Sequence, residues 1–155
     1  MGLRTNEFSK QLNKLTRIAI DSAVLIYHLE DVTPYSELTE ILFARIAAGS
    51  VEAVFSTITL TELLVKPIAD HDEDAVQAFE TFVHSLPSSR WVAPDYAAAR
   101  EAARLRAKYK LRTPDALLLA TAIKTESQAF VTNDIKFQKL PALRLQIVLL
   151  DDYVR

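Results

Sequence analysis

Apolar residues along the chain follow two alternating rhythms. Arg17-Ile-Ala-Ile-Asp21 is a short β-branched run, too brief for a helix, and Ser22 to Glu30 after it carries apolar positions at helical spacing. Strand then helix is expected. A second helix opens at Thr33-Pro34, whose cap-and-proline chemistry suits a first turn, runs through Leu38, Ile41, Leu42 and Ile46, and stops at Gly49. Glu52 to Ser56 reads as strand two. Helices are expected next from about Thr59 to Val65, broken near Pro67, and from about Asp72 to Leu86, with Val76, Phe79, Phe82 and Val83 on its apolar side. Arg90 to Ala93 is a third strand, and Pro94-Asp95 opens an alanine-rich helix reaching about Tyr109. Thr113-Pro114-Asp115 opens the last helix, capped by Thr113, before strands at Ala129-Phe130-Val131 and Leu145 to Leu150.

Strands that alternate with helices, without an Asn-Gly hairpin signal, predict the α/β class: a parallel sheet between two helical layers. A length of 155 residues suits one domain with one core. The strand–helix pattern occupies about residues 17 to 150, and Met1 to Thr16 is an extension of no assigned role.

Composition removes whole classes of chemistry. There is no cysteine, which excludes disulfides, thiolate metal sites and a cysteine nucleophile. With Gly2 and Gly49 the only glycines, neither a glycine-rich phosphate loop nor a dinucleotide fingerprint can be built. His28, His71 and His84 lack metal-motif spacing, and no serine has the surround of a nucleophile elbow. No apolar run approaches a membrane span, and Met1 to Arg17 is polar, so a cytoplasmic protein without membrane contact is expected. The formal charge of −2 means that any nucleic-acid contact must come from local cations or bound metal.

Carboxylates remain. Asp21 follows strand one, Glu62 lies on the helix after strand two, Asp115 sits at a helix start and Asp134 follows strand four. In parallel α/β sheets, ligands bind outside the carboxyl ends of the strands, where the strand order reverses. Each acid also has an ordinary explanation: Asp21 as a helix cap, Glu62 in a capping box with Thr59, Asp115 against a helix dipole, Asp134 in a turn. Caps and dipoles do not explain why all four fall at one predicted edge. Gathered acids repel one another unless cations lie between them, and hard oxygen donors without His or Cys select Mg²⁺ or Mn²⁺. Such ions activate water and polarise phosphodiesters.

Other residues draw plainer readings. Tyr27 and His28 read as a helix face, with base contact by either as the alternative, Trp91 as core, and Asp151 and Asp152 as a solvated terminus. Arg100, Arg104, Arg106, Lys108, Lys110 and Arg112 carry only Glu101 against them, which commonly marks a solvated face. Because the run leads into Asp115, Lys110 and Arg112 are candidates to contact RNA phosphates.

At these positions the sequence resembles the PIN domain, and more narrowly the VapC-like toxins of toxin–antitoxin pairs. The pieces that carry the resemblance are Ile20-Asp21-Ser22-Ala23-Val24-Leu25-Ile26, Ser56-Thr57-Ile58-Thr59-Leu60-Thr61-Glu62-Leu63, Leu111-Arg112-Thr113-Pro114-Asp115-Ala116-Leu117 and Phe130-Val131-Thr132-Asn133-Asp134, then Phe137. The resemblance implies a five-stranded sheet of order 3-2-1-4-5, with Asp21 and Asp134 facing each other. It further implies that Asp21, Glu62, Asp115 and Asp134 bind Mg²⁺ or Mn²⁺ and are catalytic, oriented by Ser22, Thr132 and Asn133. The implied activity is endonucleolytic RNA cleavage by a homodimer that a protein antitoxin inhibits. A PIN-like module that binds without cutting, and an RNA-processing nuclease without an antitoxin, remain open beside it.

Overall fold

The central strands of this chain are apolar on both of their faces, and the computed structural model, which describes residues 2–141 and 143–154, shows why. The strands β1 (Arg17–Ile20), β2 (Glu52–Ser56), β3 (Ser89–Val92), β4 (Ala129–Thr132) and β5 (Gln146–Leu149) pair in parallel in the order β3-β2-β1-β4-β5. Ile18, Ile20, Ala53, Phe55, Ala129 and Val131 enter one buried cluster, while the intervening Ala19, Val54 and Phe130 enter another. Alternate side chains therefore feed two cores, as expected for a sheet covered on both sides.

Among the described residues seven α-helices supply that cover: α1 (Thr5–Leu12), α2 (Ser22–Leu29), α3 (Ser36–Ala47), α4 (Thr57–Ala69), α5 (Glu73–Ser85), α6 (Tyr96–Tyr109) and α7 (Thr113–Lys124). Residues of α1 to α5 join the first cluster, and α6 and α7 contribute most of the second through Ala98, Ala102, Leu105, Ala116, Leu119 and Ala122. Small residues on α6 and α7 let these two helices lie close to each other, with α7 against β1, β2 and β4. No helix among the described residues is long and apolar enough to cross a membrane.

The boundaries differ from expectation in instructive places. Helix α3 begins at Ser36 rather than Thr33, because Val32 O first closes a turn by accepting from Tyr35 N and Ser36 N at 3.0 and 2.9 Å. Helix α4 starts at Thr57, with Ser56 as its cap: Ser56 Oγ accepts from Ile58 N at 3.2 Å. It also continues through Pro67 to Ala69. A proline there removes one helical donor near the end of the helix, and burial of its ring offsets that loss. At α7 the cap position is Arg112 rather than Thr113, with Pro114 inside the first turn.

The extension before β1 is part of the core. Phe8 and Leu12 of α1 are buried, and the Phe8 ring meets Tyr153 edge-on with centroids 5.0 Å apart. Leu3 forms an antiparallel bridge with Val154, and Arg4 N donates to Tyr153 O at 2.8 Å. The end of the expected extension, Met1, lies outside the described residues.

Candidate metal centre

The site is assembled where β1 and β4, adjacent strands, release their chains in different directions. Asp21 follows β1 and caps α2: Oδ1 accepts from Ser22 N at 2.8 Å and Oδ2 accepts from the Thr132 hydroxyl at 2.7 Å. Thr132, the last residue of β4, in turn accepts from Asp134 N at 3.1 Å. One hydroxyl thus ties the two strand ends together. The Ser22 hydroxyl, next along α2, donates to Glu62 Oε1 at 2.8 Å and lies 3.2 Å from the Thr59 hydroxyl. Since Ser56 caps α4, Glu62 lies well past the first turn and belongs to no capping box.

Asp115 and Asp134 are held differently. Asp115, buried in the first turn of α7, accepts from Arg112 Nε at 3.2 Å and from Lys136 Nζ at 3.3 Å. Asp134 caps a 3₁₀ turn over Ile135–Lys139 by accepting from Lys136 N at 3.0 Å. Its other oxygen lies 3.3 Å from the same lysine's ammonium. Among the described residues the Asn133 side chain makes no hydrogen bond to the four acids; its Oδ1 accepts from Asp151 N at 2.9 Å, and its amide donates to Tyr27 Oη at 3.4 Å.

Asp21, Glu62, Asp115 and Asp134 all line one open cavity of about 700 Å³, together with Ser22 and Asn133. Ala23, Ile26, Val65 and Ile135 give it an apolar rim. Burial pushes the Asp21 carboxyl up to about 6; the bonds from Thr132 and Ser22 oppose the rise, and the charges of Glu62 and Asp115 add to it. Its neighbours are acids, and no cationic side chain pairs with it among the described residues. Asp134 first, and Asp115 with it, stabilise the charged Lys136 ammonium and raise its pKa.

Lys110 and Arg112 line a smaller neighbouring groove of about 340 Å³, which shares Asp115 with the acidic cavity. Lys136 and Lys139 lie in the same groove, so four cations border the acids. The rest of the basic run disperses: Arg104 pairs with Glu101, and Arg106 Nε donates to Leu111 O at 2.9 Å. Tyr27 lines the acidic cavity and stacks on Tyr35, whereas His28 stacks on Phe43 away from it.

Sequence reasoning missed Asp151 and Lys136. Asp151 follows β5 at the same edge, lines the acidic cavity and accepts from the Tyr35 hydroxyl at 2.7 Å. The strand-end rule that selected Asp134 would have selected it too. Lys136 stands two residues after a capping aspartate, a spacing at which the turn can fold a long side chain back over the carboxylate.

A family model described as the PIN domain matches residues 18–143, and the chain belongs to that family. No curated protein matches the sequence. Among solved structures, that of VapBC2 from Rickettsia felis bound to a promoter DNA fragment is similar with TM-score 0.65 and 18% identity, over 85% of this chain and 97% of that one. A toxin–antitoxin complex from Klebsiella pneumoniae matches with TM-score 0.63 and 22% identity, over 84% and 99%. VapC20 from Mycobacterium tuberculosis, a sarcin-ricin loop cleaving toxin, matches with TM-score 0.65 and 14% identity, over 83% and 98%. At these identities the shared property is the fold.

Proposed function

We propose that this chain is an endoribonuclease dependent on Mg²⁺ or Mn²⁺, and the toxin of a toxin–antitoxin pair. The observation that carries the reading is the buried Asp21 carboxylate, set among acids without a paired cation at a cavity that opens beside a basic groove. A buried charge of that kind requires an external cation or a proton. Among the described residues no three acids stand as a ready-made ligand set; Arg112 and Lys136 pair with Asp115, and Lys136 pairs with Asp134 as well. The donor chemistry nonetheless fits a hard divalent ion, with Asp21 and Glu62 free of cationic side chains and Asp115 and Asp134 completing the set.

A bound ion there would supply Lewis acidity and a more acidic water. The chain's own groups do the positioning: Thr132 and Ser22 fix Asp21, the Ser22 hydroxyl aims Glu62, and Lys110, Arg112 and Lys139 offer cations to the RNA backbone. An antitoxin tail with arginines among apolar side chains would suit an acidic cavity with an apolar rim. Toxin–antitoxin complexes among the similar structures support that partner. A second copy of the chain and a cytoplasmic site of action belong to the same reading. Coverage of Asp115 and Asp134 by Lys136 favours a second reading, a PIN fold that binds RNA without cutting.

The purified protein should cleave RNA with Mn²⁺ or Mg²⁺ and not in chelator, and either ion at millimolar concentration should raise Tm because only the folded state binds it. The rise should shrink in Glu62→Gln. Intact RNA after incubation with either metal, at enzyme concentrations that bind it, would leave the non-cutting reading. Lys110→Glu tests the groove: Lys110 is exposed and, among the described residues, forms no ion pair with the acids. RNA affinity should fall and its salt dependence flatten by roughly one phosphate contact, with Mn²⁺ affinity unchanged. Unaltered salt dependence would place the RNA elsewhere.

A further inference from the structure

Lys136 joins two acids that come from different elements. Its ammonium lies 3.3 Å from Asp115 Oδ2, at the start of α7, and 3.3 Å from Asp134 Oδ2, after β4. Its backbone is fixed, because Lys136 N is the donor to the capping Asp134 carboxylate. Its side chain is half open to solvent, at 49% exposure. Arg112 repeats the theme on Asp115 with a side chain that is 73% exposed. The four acids therefore divide into two pairs. Asp115 and Asp134 are neutralised by cations of the chain, and Asp21 and Glu62 are not.

Both cations also line the basic groove beside the acids, with Lys110 and Lys139. The same side chains can cover carboxylates or meet phosphates. Exposed ion pairs hold weakly, so a dense row of phosphates can draw them off at small cost. Resting on the metal-dependent reading above, we infer that Lys136 is a stand-in cation: it holds Asp115 and Asp134 together until an RNA phosphate draws it into the groove and frees both acids for the metal. Metal binding and backbone binding are then positively coupled. Linkage makes the coupling reciprocal, so RNA tightens metal and metal tightens RNA by the same factor. Lys136 is in this sense a positioning residue that acts through the acids.

The test measures binding, not cleavage. Mn²⁺ affinity of the protein alone is taken by calorimetry, and affinity for a short labelled phosphorothioate DNA oligonucleotide by fluorescence anisotropy with and without Mn²⁺. In Lys136→Gln and Lys136→Met the stand-in is gone, so Mn²⁺ should bind roughly three- to tenfold more tightly, within the range that two weak exposed pairs allow. In wild type Mn²⁺ should tighten the oligonucleotide, and in both neutral variants that tightening should shrink toward none. Lys136→Arg, which keeps the charge, should behave as wild type in both measurements. Mn²⁺ that binds the neutral variants no better than wild type, or coupling that survives in them, overturns the role of Lys136 and leaves the metal centre standing. Absence of Mn²⁺ binding in wild type and variants alike overturns the metal-dependent reading and this inference with it.

Discussion

Asp21→Asn is expected to reduce RNA cleavage by roughly two to three orders of magnitude, the scale on which loss of one preorganised charged group is felt, while leaving the fold at least as stable. The substitution keeps shape and removes charge. The amide oxygen that replaces Asp21 Oδ1 can still accept from Ser22 N, and the Thr132 hydroxyl can turn to accept from the new amide nitrogen. Stability should not suffer, because the native carboxylate is a burden at neutral pH. Its folded pKa of about 6 lies above the ordinary 3.8. The folded protein therefore holds a proton on Asp21 between these values that the unfolded chain releases. Stability from this group is present in full below pH 3.8 and is lost as pH rises through about 6. At roughly 1.4 kcal/mol per pH unit the interval corresponds to about 3 kcal/mol. Urea unfolding in chelator from pH 4 to 8 should show that decline in wild type and a flatter profile in Asp21→Asn. Wild-type cleavage by the variant, or identical pH profiles, would refute the role assigned to Asp21.

Phe8→Ala should cost about 3 to 5 kcal/mol, the range for truncating a fully buried phenylalanine and a large part of the ~5 to 15 kcal/mol that holds a domain of this size. Phe8 is 0% exposed and sits in the same cluster as Ile18, Leu42 and Phe55. The substitution leaves a cavity under α1 and strips Tyr153 of its edge-on partner. Cleavage per folded molecule should be unchanged in the cold, since neither Phe8 nor Tyr153 lines the acidic cavity. Chemical denaturation gives the cost directly. A loss below about 1 kcal/mol, the scale of an ordinary surface change, would show that α1 lies on the core without supporting it.

The sheet was legible in the sequence because each strand is a short apolar run and each crossover a helical stripe, and its strand order followed from the resemblance. Helix α1 was not legible. Its buried positions, Phe8 and Leu12, are one helical turn apart, and two residues make too thin a stripe to stand out from a polar segment. The start of α4 was misplaced because Ser56 is at once the last residue of β2 and the cap of the helix, so strand and helix share a boundary with no loop between them. Four acids were selected by position alone, and the structure brings all four to one cavity. What the sequence could not reveal is which acids carry partners. Lys136 is near Asp134 in the chain, but its contact with Asp115, twenty-one residues away, exists only once α7 and β4 are packed.

The aromatic residues give the molecule two optical channels. Trp91, the single tryptophan, lies on the edge strand β3, stacked on Phe55 with centroids 4.7 Å apart, and its buried indole nitrogen has no hydrogen-bond partner. Its emission is expected to resemble that of an indole in a nonpolar setting and to move to longer wavelength on unfolding. Tyr27 and Tyr35 stack 4.5 Å apart beside the acidic cavity, with Tyr27 in its wall and Tyr35 bonded to Asp151. Their ultraviolet absorbance is expected to respond to charge arriving in that cavity. Fluorescence should thus read whether the chain is folded, and difference absorbance what has entered the site, in one sample and without a label.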